Sequence, residues 1–123
     1  MDTPKRILER RRSVRISESF LFKIGHKGYD IQAISVNLSG TGVLGLVERD
    51  IPLMSQLAVV LELPPQSPKT AGKPKVVRAK GVLVRKEKDG RTGRFLVAIY
   101  FSSIGSADRR RLETFIDRYL KTP

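Results

Sequence analysis

Six apolar stretches of strand-like length run through this chain, each separated from the next by turn-forming residues. Phe20, Phe22 and Ile24 alternate with Leu21, Lys23 and Gly25. Leu57, Val59, Leu61 and Leu63 share one face of a run from Gln56 to Leu63. Phe95, Val97, Ile99 and Phe101 do the same between Arg94 and Ser102. A period of two is that of a strand with one face turned to a core. Tyr29 to Leu38, Thr41 to Glu48 and Lys75 to Glu87 supply the other three runs. His26-Lys27-Gly28 and Lys88-Asp89-Gly90-Arg91 carry hairpin chemistry. Asp50 to Ser55, with Pro52, reads as a connection, and Pro64 to Pro74, with four prolines, as a loop. Most connections are short. Parallel strands need crossovers of about a dozen residues or more, so antiparallel pairing is expected. A closed six-stranded barrel removes the exposed sheet edges, and a two-sheet sandwich is the alternative.

The chain ends in a helical pattern. Leu112, Phe115, Ile116, Tyr119 and Leu120 form one apolar stripe, with Arg109, Arg110, Arg111, Asp117 and Arg118 on much of the remaining surface. Ser106 can cap this helix, and Asp108 favours its first turn. The stripe reads as a core face covering the barrel, with partner docking as the alternative. At the other end lies a basic arm in which Lys5, Arg6, Arg10, Arg11, Arg12 and Arg15 face only Asp2 and Glu9. Its few apolar residues cannot support folding alone, so a flexible arm is expected, with a short turn over Pro4 to Glu9. These signals divide one domain of 1–123 into an arm (1–17), a barrel (18–104) and a C-terminal α-helix (105–121).

Charge narrows the function. Twenty-four Lys and Arg against twelve Asp and Glu give a net charge of +12, which favours anionic partners. There is no Cys and one His, so no thiolate metal site and no Ser/His/Asp or Cys/His set is built with confidence. Ala71-Gly72-Lys73-Pro74 lacks the phosphate-loop pattern. The scattered acidic residues suggest no acid/base pair. The expectation is a binder and not an enzyme, cytoplasmic, without a cofactor, a metal or membrane insertion. A small basic barrel that binds nucleic acid is one such binder. Its stacking aromatics belong on an exposed face, whereas Phe20, Phe22, Phe95 and Phe101 fall at core-like positions.

Two short stretches carry ligand chemistry. Arg11 and Arg15 lie four residues apart with Arg12 between them, and guanidinium forks suit phosphate oxygens and the guanine edge. Asn37-Leu38-Ser39-Gly40-Thr41-Gly42 places an amide, two hydroxyls and two glycines between apolar runs. Taken alone, the stretch reads as a strand-to-strand turn, with Asn37 capping it.

Arg-x-x-x-Arg at Arg11 and Arg15, followed by Asn-x-Ser-x-x-Gly at Asn37, Ser39 and Gly42, resembles the paired signature of the PilZ domain family, bacterial receptors for cyclic di-GMP. Lys80 to Arg85, Val97 to Phe101 and the terminal helix are similar to the family's later elements. The resemblance implies a six-stranded antiparallel β-barrel with a C-terminal helix, over which the arginine arm folds onto ligand. Arg11 and Arg15 would grip phosphate and a guanine edge. Asn37 and Ser39 would hydrogen-bond the ligand, and Gly42 would keep the turn open. Arg12 would add a phosphate or stacking contact. Arg10 occupies a position where the family's arginines accompany an intercalated ligand pair. Asn37 is an accepted variant of Asp at the first position of its motif. The expected partners are cyclic di-GMP and a protein effector that reads arm ordering, with the chain a monomer or weak homodimer. The expected affinity is on the order of micromolar, about −8 kcal/mol.

Overall fold

The computed structural model describes residues 14–65 and 75–121. Six strands close into a barrel: β1 (Leu21–His26), β2 (Tyr29–Leu38), β3 (Gly42–Val47), β4 (Gln56–Leu63), β5 (Lys75–Lys88) and β6 (Phe95–Ile104). They pair antiparallel in the order β1-β2-β3-β6-β5-β4, and β1 meets β4 to complete the circuit. The barrel, not the sandwich, is the architecture. Among the described residues one helix, α1 (Ser106–Lys121), follows β6. The expected turn over Pro4 to Glu9 and most of the proline-rich loop lie outside the described residues.

The alternation seen in the sequence is the alternation of burial. Phe22 and Ile24 of β1, Leu57, Val59, Leu61 and Leu63 of β4, and Val97, Ile99 and Phe101 of β6 all point into one core. Lys27 and Gly28 both have positive φ, the signature of a two-residue hairpin turn whose twist matches the strands it joins. The next hairpin is organised by Asp89, whose carboxylate accepts hydrogen bonds from the Thr92 hydroxyl (2.8 Å) and the Arg91 amide (3.1 Å).

The helix differs from expectation in two details. Gly105, not Ser106, sits at the cap, since its carbonyl accepts from the Arg109 amide (2.9 Å). Leu112, Phe115 and Ile116 are buried in the barrel's core cluster and Tyr119 packs against it, but Leu120 is exposed. The stripe is therefore core for about two turns and leaves the barrel at its last residue. The core also reaches further back than residue 18. Ile16 is only 2% exposed, so the last part of the stretch read as arm is already built into the barrel.

Two local departures from regularity position the site described below. Ser35 pairs with Gly45 while Asn37 pairs with Leu44, so Val36 is an extra residue in β2. This bulge shifts the inward phase from Ile31, Ala33 and Ser35 to Leu38. In an unbulged strand Asn37 would fall on the inner face; here it stays partly exposed. The second departure is at Gly42, where a Cβ would run into the carbonyl oxygen of Ile99 in the neighbouring strand. Backbone cannot move aside as a side-chain tip can. Gly42 therefore allows β3 to start hard against β6.

Gly42→Ala is expected to cost about 1–3 kcal/mol of stability, read as a lower urea midpoint with an unchanged slope. The Thr92 hydroxyl first, then the Arg91 amide, hold the Asp89 carboxyl below its ordinary pKa. Its contribution to stability is present above that ordinary value and fades as pH falls through the lowered one. Thr92→Val should move the Asp89 titration, followed by carboxyl NMR, back towards the ordinary value.

Candidate ligand site at the β2–β3 turn

The site begins with one backbone pair. The Ile16 amide donates to the Leu38 carbonyl (2.8 Å), and the Leu38 amide returns a bond to the Ile16 carbonyl (2.9 Å). Both side chains point inward and are buried. Their neighbours are accordingly turned outward, and there Arg15 Nη1 donates to Asn37 Oδ1 (2.6 Å) across 22 residues of sequence. The approach of this segment to β2 is fixed from below by Ser35. Its buried hydroxyl donates to the Glu18 carbonyl and accepts from the Phe20 amide (3.1 Å).

The turn after Asn37 is tied internally. Ser39 is fully buried, and its hydroxyl reaches the Thr41 hydroxyl (3.1 Å), the Thr41 amide (3.2 Å) and the Gly42 carbonyl (3.3 Å). The Ser39 amide also donates to the Gly42 carbonyl (2.9 Å). The bonds of Ser39 thus shape the loop from inside, while the Arg15–Asn37 pair lies at its exposed surface.

On the outer wall beside Asn37, the register runs from Asn37 through Leu44 to Ala98, and from Gly42 to Tyr100. Leu44 and Ala98 are partly exposed, and Tyr100 is 53% exposed. A cationic fork and an amide therefore border a wall that is apolar and ends in an aromatic ring. Such a surface suits a ligand that combines anionic and flat apolar parts.

Of the sequence-derived candidates, Arg15, Asn37, Ser39 and Gly42 are gathered at this turn, and Arg10, Arg11 and Arg12 lie outside the described residues. Two further residues converge on it from α1. Arg109 Nη1 donates to the Gly40 carbonyl (3.1 Å), and the Tyr119 hydroxyl donates to the Ser17 carbonyl (2.8 Å). In the sequence Arg109 was one of several helix cations and Tyr119 one member of an apolar stripe. No local pattern sets either apart. Among the described residues no cluster of three or more His, Cys, Asp or Glu could hold a metal, and no helix is long and apolar enough to cross a membrane.

Comparison with known proteins bears on the fold. No curated protein matches the chain in sequence. Several solved structures share the fold at low identity, among them these three. The Bacillus subtilis inhibitor of motility (MotI/DgrA) superposes with a TM-score of 0.73 at 20% identity, covering 93% of this chain and 53% of that one. The PilZ domain of YcgR from Escherichia coli, solved with c-di-GMP, gives 0.58 at 19% identity, covering 91% and 95%. PlzA of Borreliella burgdorferi, also solved in complex with c-di-GMP, gives 0.61 at 10% identity, covering 96% and 56%. The chain thus spans about half the length of the first and third of these proteins. The PilZ domain family model matches residues 9–118. With the closed six-stranded barrel, the helix that follows it and a match over most of its length, the chain belongs to the PilZ domain family.

Proposed function

We propose that this protein is a receptor for cyclic di-GMP and not a catalyst. The observation that carries the reading is the Arg15–Asn37 contact, which joins one half of each signature motif on the barrel surface. Two structural relatives, the YcgR PilZ domain and PlzA, were solved with the same dinucleotide.

In this reading Arg15 trades its neutral amide partner for a ligand phosphate or guanine edge, which the fork geometry of guanidinium suits. Asn37, released from Arg15, turns its amide to the ligand. Asparagine brings no charge, so it adds no repulsion towards phosphate. Ser39 contributes from beneath by holding the loop, and Gly42 by letting β3 approach β6. Arg11 and Arg12, with Arg10, close over the ligand from the arm. The guanine bases lie against Leu44, Ala98 and Tyr100. The closed arm forms a new surface for a protein effector.

Energetics fit a second-messenger receptor. A charge-assisted hydrogen bond is worth about 1.5–3 kcal/mol net. Ordering each arm residue costs about 1–2 kcal/mol. The base of the arm is already held by the Ile16–Leu38 pair, so that cost falls on fewer residues. The binding constant expected is on the order of micromolar.

The nucleic-acid reading is less well supported. Phe20, Phe22 and Phe101 are buried and Phe95 is partly buried. The exposed Tyr29 lies under the Arg49 guanidinium, 5.1 Å from the ring centroid. That arrangement leaves Tyr100 as the exposed aromatic beside the turn, where a polynucleotide groove calls for a series of stacking rings.

Calorimetric titration with cyclic di-GMP tests the proposal. Arg15→Ala should weaken binding about 10- to 100-fold with the circular dichroism spectrum unchanged, and Arg11→Ala should do likewise. A folded protein that shows no heat with millimolar nucleotide would end the reading. Ser39→Ala should instead lower stability and affinity together, because its bonds lie within the turn. Salt separates the alternatives. A ligand with two phosphates gives a shallow slope of log K against log salt, whereas a polynucleotide spanning several phosphates gives a steep one.

A further inference from the structure

The terminal helix touches both halves of the site. Near its start, Arg109 reaches the Gly40 carbonyl, three residues beyond Asn37 and 69 residues earlier in the chain. Near its end, the Tyr119 hydroxyl reaches the Ser17 carbonyl, two residues after Arg15 and 102 residues earlier. The Arg109 guanidinium is also 3.7 Å from the Glu113 carboxylate, one helical turn on, which steadies it over the turn. Between these two contacts the helix is rooted in the core through Leu112, Phe115 and Ile116. Neither Arg109 nor Tyr119 belongs to the two signature motifs.

We infer that Arg109 and Tyr119 are positioning residues that clamp the β2–β3 turn and the base of the arm to α1, so that the seating of the helix and occupancy of the ligand site are one coupled equilibrium. The inference rests on the receptor reading for its ligand but not for its structural half.

The physical basis is pre-organisation. Arg15 can meet Asn37 only while the segment from Arg15 to Ser17 lies along the end of β2. Two attachments hold it directly, the Ile16–Leu38 backbone pair and the Tyr119 bond one residue further on, and the Ser35 hydroxyl anchors the chain just after it at Glu18 and Phe20. An isolated two-bond bridge at the end of a strand frays easily. The Tyr119 bond closes that fray, and a ligand then finds Arg15 already in place. Arg109 does the same for the turn, since the Gly40 carbonyl it holds lies between Asn37 and Gly42. Coupling of this kind is reciprocal. Ligand that pulls Arg15 onto the wall strengthens the Tyr119 contact and the seating of the helix end. A partner that lifts the helix end weakens ligand binding by the same factor. The helix is thereby a route by which occupancy reaches an effector, and the exposed Leu120, in its last turn, lies next to the Tyr119 contact.

Tyr119→Phe is the discriminating variant, because it keeps the ring that packs on the core and removes only the hydroxyl. Arg109→Gln removes the fork from the turn, and Arg110→Gln, at an exposed neighbouring position, is the control. In the ligand-free full chain, Tyr119→Phe should speed hydrogen exchange at the Ile16 and Leu38 amides while the global melting midpoint holds. Cyclic di-GMP affinity should fall about fivefold in Tyr119→Phe and in Arg109→Gln, the factor expected for one net hydrogen bond, and stay constant in Arg110→Gln. Saturating nucleotide should slow exchange at the end of α1 in the wild type, and much less in Tyr119→Phe. Unchanged exchange at Ile16 and Leu38 in Tyr119→Phe would overturn the clamp. So would equal affinity losses in all three variants. If the wild type fails to bind the nucleotide, the receptor reading and the coupling both fall, whereas the clamp itself is still decided by the exchange at Ile16 and Leu38.

Discussion

The reciprocal backbone pair between Ile16 and Leu38 is the constraint on which the geometry of the candidate site depends. It joins a segment that precedes the first strand to the last residue of the second. Because both side chains are buried, the pair has a hydrophobic reason to persist as well as two hydrogen bonds. Strand geometry does the rest. Neighbours of an inward residue face outward, so burying Ile16 and Leu38 turns Arg15 and Asn37 to the surface at the same place. The polar contact is thus a consequence of an apolar one.

The bulge at Val36 is the companion of that constraint. Ser35 must face inward to hold Glu18 and Phe20, and Leu38 must face inward to meet Ile16. The two positions are three residues apart, which a strict two-residue period cannot satisfy. One extra residue resolves the conflict and leaves Asn37 outward. The loop that follows is then shaped from inside by Ser39 and from the neighbouring strand by the backbone that Gly42 alone can accommodate. A site made this way is rigid on the barrel side, and the arginines that complete the motif belong to the chain preceding it.

The net charge of +12 gains meaning from this arrangement. Several surface cations are matched locally: Lys86 with Asp50 at 2.5 Å, Arg94 with Glu48 at 3.8 Å and Arg111 with Asp108 at 3.2 Å. Such exposed pairs add little stability. At the β2–β3 turn Arg15 meets a neutral amide oxygen instead, while Arg109 lies between the Gly40 carbonyl and the Glu113 carboxylate. A guanidinium held by a neutral acceptor, as Arg15 is, draws an incoming anion more strongly than one whose field a carboxylate offsets.

Much of the fold was legible in local pattern. The expected limits of the second strand, Tyr29 to Leu38, and of the fourth, Gln56 to Leu63, coincide with β2 and β4. The stripe of Leu112, Phe115 and Ile116 is core as its spacing required. These succeed because burial repeats with the period of the backbone, and period is written in sequence. The two motifs were also visible as residue types, but the Arg15–Asn37 contact, the bulge that aims Asn37 outward and the helix contacts of Arg109 and Tyr119 were not. The contacts join residues 22 to 102 positions apart, and the bulge turns on which side of a strand a one-residue shift leaves a side chain. The amino-acid order by itself determined a basic chain of strands and one amphipathic helix, with its ligand-type residues in two distant places. Tertiary packing decided that those places meet, because only closing the barrel around Ile16 and Leu38 satisfies their backbone and apolar surface together.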